Sequence, residues 1–208
     1  MIQRLSVVIA GIAALCIGVA CEHPRNQYSA DNNVPVTGNI KIVIDDAIDQ
    51  THRTTHYDPA YVKIKYPNGD VPMDRGVCTD VVIRALRKTG VDLQKDVHED
   101  MSTNFNAYPH RWGLSAPDTN IDHRRVPNLM KYFDRKGKSV AITAEATDYH
   151  PGDIVAWDLG GGLTHIGLVA NIHSSGSPRL MIVHNIGNGA QLEDVLFNWK
   201  IIGHYRYF

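Results

Sequence analysis

A chain of 208 residues, 43% hydrophobic and 21% charged, has the balance of a soluble globular protein and enough length to bury one core. A formal net charge of −1 gives no electrostatic case for binding nucleic acid or an anionic membrane surface.

The N-terminus, "MIQRLSVVIAGIAALCIGVACEHPRNQ", places Arg4 before an apolar run from Leu5 to Ala20. That is the pattern of a secretory signal over residues 1–21, rather short for a membrane span and with no polar anchor behind it. The run "GVAC" resembles a bacterial lipoprotein cleavage box, in which Cys21 becomes the lipidated first residue, although Gly18 stands where leucine is usual. The alternative is ordinary cleavage near Ala20. Both imply export to the periplasm or cell envelope, the first with a lipid anchor. Residues 22–38, polar and turn-rich, are expected to be a flexible tether, and residues 39–208 one domain that acts as a monomer.

From Asn39 the apolar positions Ile40, Ile42, Ile44, Ala47 and Ile48 predict a helix. A short strand-like run then precedes the turn "YPNGD" at 66–70. Next, Cys78 opens a helix whose inward stripe is Val81, Val82, Ala85 and Leu86. Arg84, Arg87 and Lys88 are expected to face outward, and Gly90 to end it. Residues 100–124 show no periodicity. Another helix follows, with Pro127 near its first turn, Gly137 at its end, and Leu129, Met130 and Phe133 inward. After Pro151 come "DIVAW", "HIGLVANI", "RLMIVHNIG" and "IIGHYRYF", short strands divided by turn residues. Helices first and adjacent strands later make an α+β fold with a C-terminal antiparallel sheet.

The chemistry centres on Cys78. Cys16 leaves with the signal and Cys21 is removed, lipidated or stranded, so Cys78 has no intradomain partner, which is unusual in an exported protein. A helix mouth offers unpaired N–H groups that favour a thiolate and can hold an oxyanion. A nucleophilic thiol also needs a base, and His165 in "LTHIGLVANI" is the candidate. On a strand it shares a face with Gly167 and Val169, while Ile166 and Leu168 point the other way. A hairpin with the next strand would bring His184 or Asn185 beside it as orienting group, and register decides which. In "DTNIDHRR", Arg124 or Arg125 could hold a substrate carboxylate, with Trp112 and Tyr108 as an apolar wall. The competing role for these arginines, with Asp122, is to brace the helix at Pro127. His123 is a weaker candidate base, and Asp153 reads as a turn residue.

A cysteine opening a helix, then "HPGDIVAW", "THIGLV" and "MIVHN", resembles the NlpC/P60 superfamily of papain-like cysteine peptidases. More closely, "YDPAYVKIKYPNGDVPMDRGVCTDVV", "WGLSAPDTNIDHRRVPNL" and "GHYR" resemble the bacterial DUF1287 group, over residues 40–208. Cysteine before histidine is the papain-like order. The resemblance implies a papain-like fold, with the nucleophile helix packed on the sheet. It makes Cys78 the nucleophile, His165 the base and His184 the orienting residue. It also implies that Tyr66, twelve positions before Cys78, lines the substrate site. Val77 and Thr79 depart from the usual aspartate and serine flanking the cysteine.

Three functions follow. The first is a hydrolase of amide bonds in peptidoglycan stem peptides or a related peptide, needing no cofactor. The second is an envelope-binding lipoprotein that keeps a peptidase fold without activity. The third, a zinc site of Cys78 with His165, His184 or His123, lacks any short paired ligand spacing.

Overall fold

The computed structural model describes residues 33–208. The signal expected over 1–21, Cys21 and the first part of the tether lie outside the described residues. Within the remainder of that tether the chain is already attached: Asn33 bridges to Ile172, and Val34 N–H donates to the Asn171 carbonyl at 2.7 Å. The packed domain therefore starts a few residues before position 39.

Helix α1, Gly38–Arg53, turns Val43, Ile44, Ala47 and Gln50 inward. Residues 58–65 form no strand. Their polar groups are taken up by side chains instead, Ile64 N–H by Asn120 Oδ1 and the Ala60 carbonyl by Arg124. Two-residue strands β1 (His56–Tyr57) and β2 (Arg75–Gly76) pair in parallel and lead into α2, Cys78–Arg87. The apolar stripe of α2 is buried as expected. Arg84, expected to face outward, is buried too, because residues 70–75 fold over it: its guanidinium binds Asp70, Thr54 Oγ1 and the carbonyls of Val71, Pro72 and Arg75.

Helix α3, Leu93–Asn104, runs into the stretch read as aperiodic. Its apolar stripe is one residue wide, with Leu93, Val97 and Met101 at four-residue spacing. Beside them Asp100 pairs with Arg135 and Lys136. Helix α4, Val126–Arg135, has Pro127 in its first turn and buries Leu129 and Phe133, and Gly137 follows it at φ +67°.

The sheet comprises β3 (Ile154–Gly160), β4 (Leu163–His173), β5 (Leu180–Asn185), β6 (Ala190–Glu193) and β7 (Lys200–Tyr205), in the order β6-β5-β4-β3-β7 with every pairing antiparallel. The α+β reading holds. Strand β6 is an addition that its short, mixed sequence did not reveal. One sheet face, with Ile154, Ala156, Ile166, Leu168 and Val183, packs on the helices. The other carries Val155, Trp157, Val169 and Ile182 under Tyr149 and Leu196. Asp153 is more than a turn residue: it is buried and holds His204 and Arg206, fastening the C-terminus to the start of β3. Among the described residues no helix is long and apolar enough to cross a membrane.

Candidate active site

The mouth of α2 is held by main-chain capping and one buried ion pair. Asp80, in the first turn, accepts the Val77 N–H at 2.7 Å, the exchange by which an acidic residue satisfies an orphan donor at a helix start. Gly76 is required beside it, since a Cβ there would stand 2.8 Å from Asp80 Oδ2. Arg124 grips both oxygens of Asp80, Nε at 3.0 Å and Nη2 at 2.9 Å, with both side chains almost wholly buried. Arg124 thus braces the helix of Cys78, not the one at Pro127.

The backbone N–H groups of Ile166, Thr79 and Cys78 itself lie near enough to the sulfur to favour its thiolate. The Ile166 contact fixes where sulfur meets the sheet. Val169 N–H donates to the Asp153 carbonyl on the β3 side. Strand amides alternate in direction, so the Ile166 N–H points to the opposite edge of β4. On that edge the paired ladder between β5 and β4 ends at Leu168 opposite Val183. Cys78 packs in the cluster on the helix face of the sheet, whereas the His165 side chain alternates to the face that carries Trp157, and His165 is not among the residues lining the cavity beside Cys78.

The imidazole arrives from the other side. His165 and Trp157 are directly paired on β4 and β3, and their rings stack at 5.6 Å. The Trp199 ring closes on His165 at 5.9 Å. His184 is the residue of β5 that meets it: His165 Nε2 and His184 Nδ1 are 2.8 Å apart, and His184 Nε2 lies 2.9 Å from Glu193 Oε2. Gly167 permits this approach, because a Cβ there would be 2.7 Å from Ile182 Cγ2 and 3.1 Å from His184 Cβ. Asn185, the alternative orienting residue, points to the helix face and donates to the Gly76 carbonyl at 3.1 Å. It ties the end of β5 to the approach to Cys78. Among the described residues no hydrogen bond joins the sulfur to the His165 ring.

Burial dominates the electrostatics. It pushes the Cys78 thiol up to about 12, Asp80 adding to the rise and the three N–H groups opposing it. The helix mouth was expected to lower this thiol, but desolvation outweighs it. Burial also lowers His165 to about 3, reinforced by His184. His184 is lowered by burial against the pull of Glu193. Both partners therefore rest neutral.

Cys78 opens onto a cavity of about 240 Å³ lined by Tyr57, Trp112, Arg124, Arg125, Leu163 and Thr164 among others. Arg125 lies with its guanidinium carbon 4.1 Å from the Trp112 ring centre and Nη1 3.3 Å from buried Asp122. Trp112 is thus at the site. Tyr66 is not. It packs edge-on against His98 at 5.2 Å, because the loop from 58 to 76 carries it to the α3 side. Tyr57 takes the position expected of it, the pKa of its hydroxyl raised chiefly by partial burial, with Asp80 adding to the rise and Arg124 opposing it. Tyr108 also lies elsewhere, buried with its hydroxyl 2.7 Å from Asp100. His123 is buried, lowered to about 4 chiefly by desolvation, and is not among the lining residues. Among the described residues no group of three or more His, Cys, Asp or Glu is placed to hold a metal ion. Tyr57 and Glu193 were missed from the sequence. Tyr57 lies beyond the expected spacing, and Glu193 sits on the strand that was not anticipated.

The sequence model for the family described as "Domain of unknown function (DUF1287)" matches residues 44–207. Uncharacterized protein YijF of Escherichia coli (strain K12) is 55% identical over 177 residues, covering 84% of this chain and 85% of that one. Among solved structures, an N-acetylmuramoyl-L-alanine amidase from Bacteroides uniformis aligns with a TM-score of 0.46 at 14% identity, over 80% of this chain and 97% of that one.

Proposed function

The chain belongs to the DUF1287 family, and from that premise we propose that it is an exported cysteine hydrolase of papain-like, NlpC/P60 type. It cleaves an amide bond in peptidoglycan stem peptides or a related envelope peptide. One observation carries this reading: Cys78, at the mouth of its helix and near the N–H of the residue that follows His165, lines a cavity of about 240 Å³.

In the reaction the Cys78 thiol gives its proton to the His165 imidazole as sulfur attacks the amide carbon. The C–S bond forms and the carbonyl π pair moves to oxygen, which the Cys78 N–H and the Tyr57 hydroxyl hold. The pair returns, the C–N bond breaks, and His165 passes the proton to the leaving amine. A water then loses a proton to His165 as its oxygen attacks the thioester. Collapse releases the acid, and the sulfur recovers its proton. Because both groups start neutral, the charged pair exists only while substrate is engaged.

The cavity lining is cationic in Arg124 and Arg125 and includes no carboxylate. Arg124 is engaged by Asp80 and by the Asp58 and Ala60 carbonyls, so Arg125, over Trp112 and held by Asp122 through one nitrogen, is the group that receives a substrate carboxylate. The tether and lipidated Cys21, where processed so, would hold the enzyme in the envelope.

A second reading, an envelope-binding protein without activity, is favoured by the high pKa and near-complete burial of the thiol. The two part on one experiment: mass spectrometry of soluble products from a muropeptide mixture, with wild type and Cys78→Ala. New free amines and acids from wild type alone support the hydrolase. Equal products from both, or none from either, overturn it.

A further inference from the structure

Glu193 ends a chain of ring nitrogens that reaches from the surface to the candidate base. On β6, Gln191 lies directly opposite His184, and Glu193 is its diagonal neighbour on the same face. At that offset a long side chain can reach the ring. Its carboxylate stands 2.9 Å from His184 Nε2, and His184 Nδ1 stands 2.8 Å from His165 Nε2. We propose that Glu193 is a positioning residue that fixes the tautomers of both histidines and makes Nδ1 of His165 the atom that accepts the Cys78 proton. This rests on the hydrolase reading and specifies its base.

The argument is one of donors and acceptors. An ionised carboxylate only accepts, so His184 Nε2 carries hydrogen. A neutral imidazole has one N–H, so His184 Nδ1 is bare. It can only accept, and His165 Nε2 must donate to it. His165 Nδ1 is then left with its lone pair free. Each ring is enclosed on this face by Trp199, and His165 also by Trp157. Among the described residues, Glu193 is the one carboxylate hydrogen-bonded to this pair of rings. When His165 becomes an imidazolium, the same carboxylate balances its charge through His184, much as an outer partner orients and strengthens a metal-bound histidine.

The test is long-range 1H–15N NMR of the imidazoles in the full mature chain near neutral pH, paired with digestion of purified sacculi. Wild type is expected to show hydrogen on Nε2 of both histidines. Glu193→Asp should keep that pattern. Glu193→Lys puts a donor where an acceptor stood, so it should move hydrogen to Nδ1 of both rings and slow digestion by about tenfold or more. The Glu193 side chain is 43% exposed, so these variants do not open the core. A wild-type spectrum with hydrogen on His165 Nδ1, or unchanged tautomers in Glu193→Lys, would overturn the proposal. The NMR result does not depend on turnover: full digestion by Cys78→Ala sinks the hydrolase reading whatever the tautomers.

Discussion

The two halves of the candidate site are built from different materials. The sulfur half is main chain: N–H groups of Cys78, Thr79 and Ile166, a capping carboxylate, and the buried Arg124–Asp80 pair behind it. The imidazole half is side chain throughout, a relay from Glu193 through His184 to His165 between two tryptophans. The first can be damaged only by disturbing the fold. The second can be altered atom by atom while the fold stands. Stability and activity should therefore separate according to which half is changed.

The largest separation is expected for His165→Ala. Sacculus digestion should fall by about 10³–10⁴-fold, as when one member of a catalytic set is removed. Arg124→Ala should do the reverse. It leaves Asp80 buried and unpaired and should cost about 3–5 kcal/mol in urea unfolding, with activity lost only in proportion to the unfolded fraction. Gly167→Ala sharpens the contrast from the other side. The added methyl forces Ile182 and His184 aside, so about 1–3 kcal/mol of overpacking should come with a disproportionate loss of digestion.

The effects that are smallest per step are those of pH, counted by the pH unit, and they carry opposite signs in the two halves. An unfolded thiol loses its proton above 9.0, whereas the folded one keeps it to about 12. The unfolded state binds fewer protons in that window, so stability falls as pH rises through it. An unfolded histidine gains a proton below 6.5, whereas His165 waits until about 3. The unfolded state then binds more protons, and stability falls as pH drops through that window. Each slope approaches about 1.4 kcal/mol per pH unit. Chemical denaturation against pH should show the alkaline slope reduced in Cys78→Ala and the acid slope reduced in His165→Gln.

The same division explains what could be read from the sequence. The helix of Cys78 and the four main strands announced themselves because their signals are local: a stripe at helical spacing, apolar runs between turn residues. Gly167 could be placed on the face of His165 from the sequence, yet what it makes room for became visible only once β5 was placed beside it. The choice of His184 over Asn185 depended on register, which no single strand specifies. Arg84 looked outward because its helix face was counted without the loop that folds over it. Tyr66 fitted a spacing, but the irregular loop that follows Tyr57 carries it to α3. Helix α3 was hidden by a stripe one residue wide, and Glu193 by a strand of four residues.

The central claim is that the Cys78 sulfur takes an acyl group from an envelope peptide. Acid-quench mass spectrometry of the intact protein, milliseconds to seconds after mixing with muropeptides, tests it most directly. The account predicts a transient mass increase equal to the acyl fragment, mapped to the peptide containing Cys78, decaying as free acid appears and absent from Cys78→Ala. Release of products without any adduct on that peptide, continuing undiminished in Cys78→Ala, would contradict it.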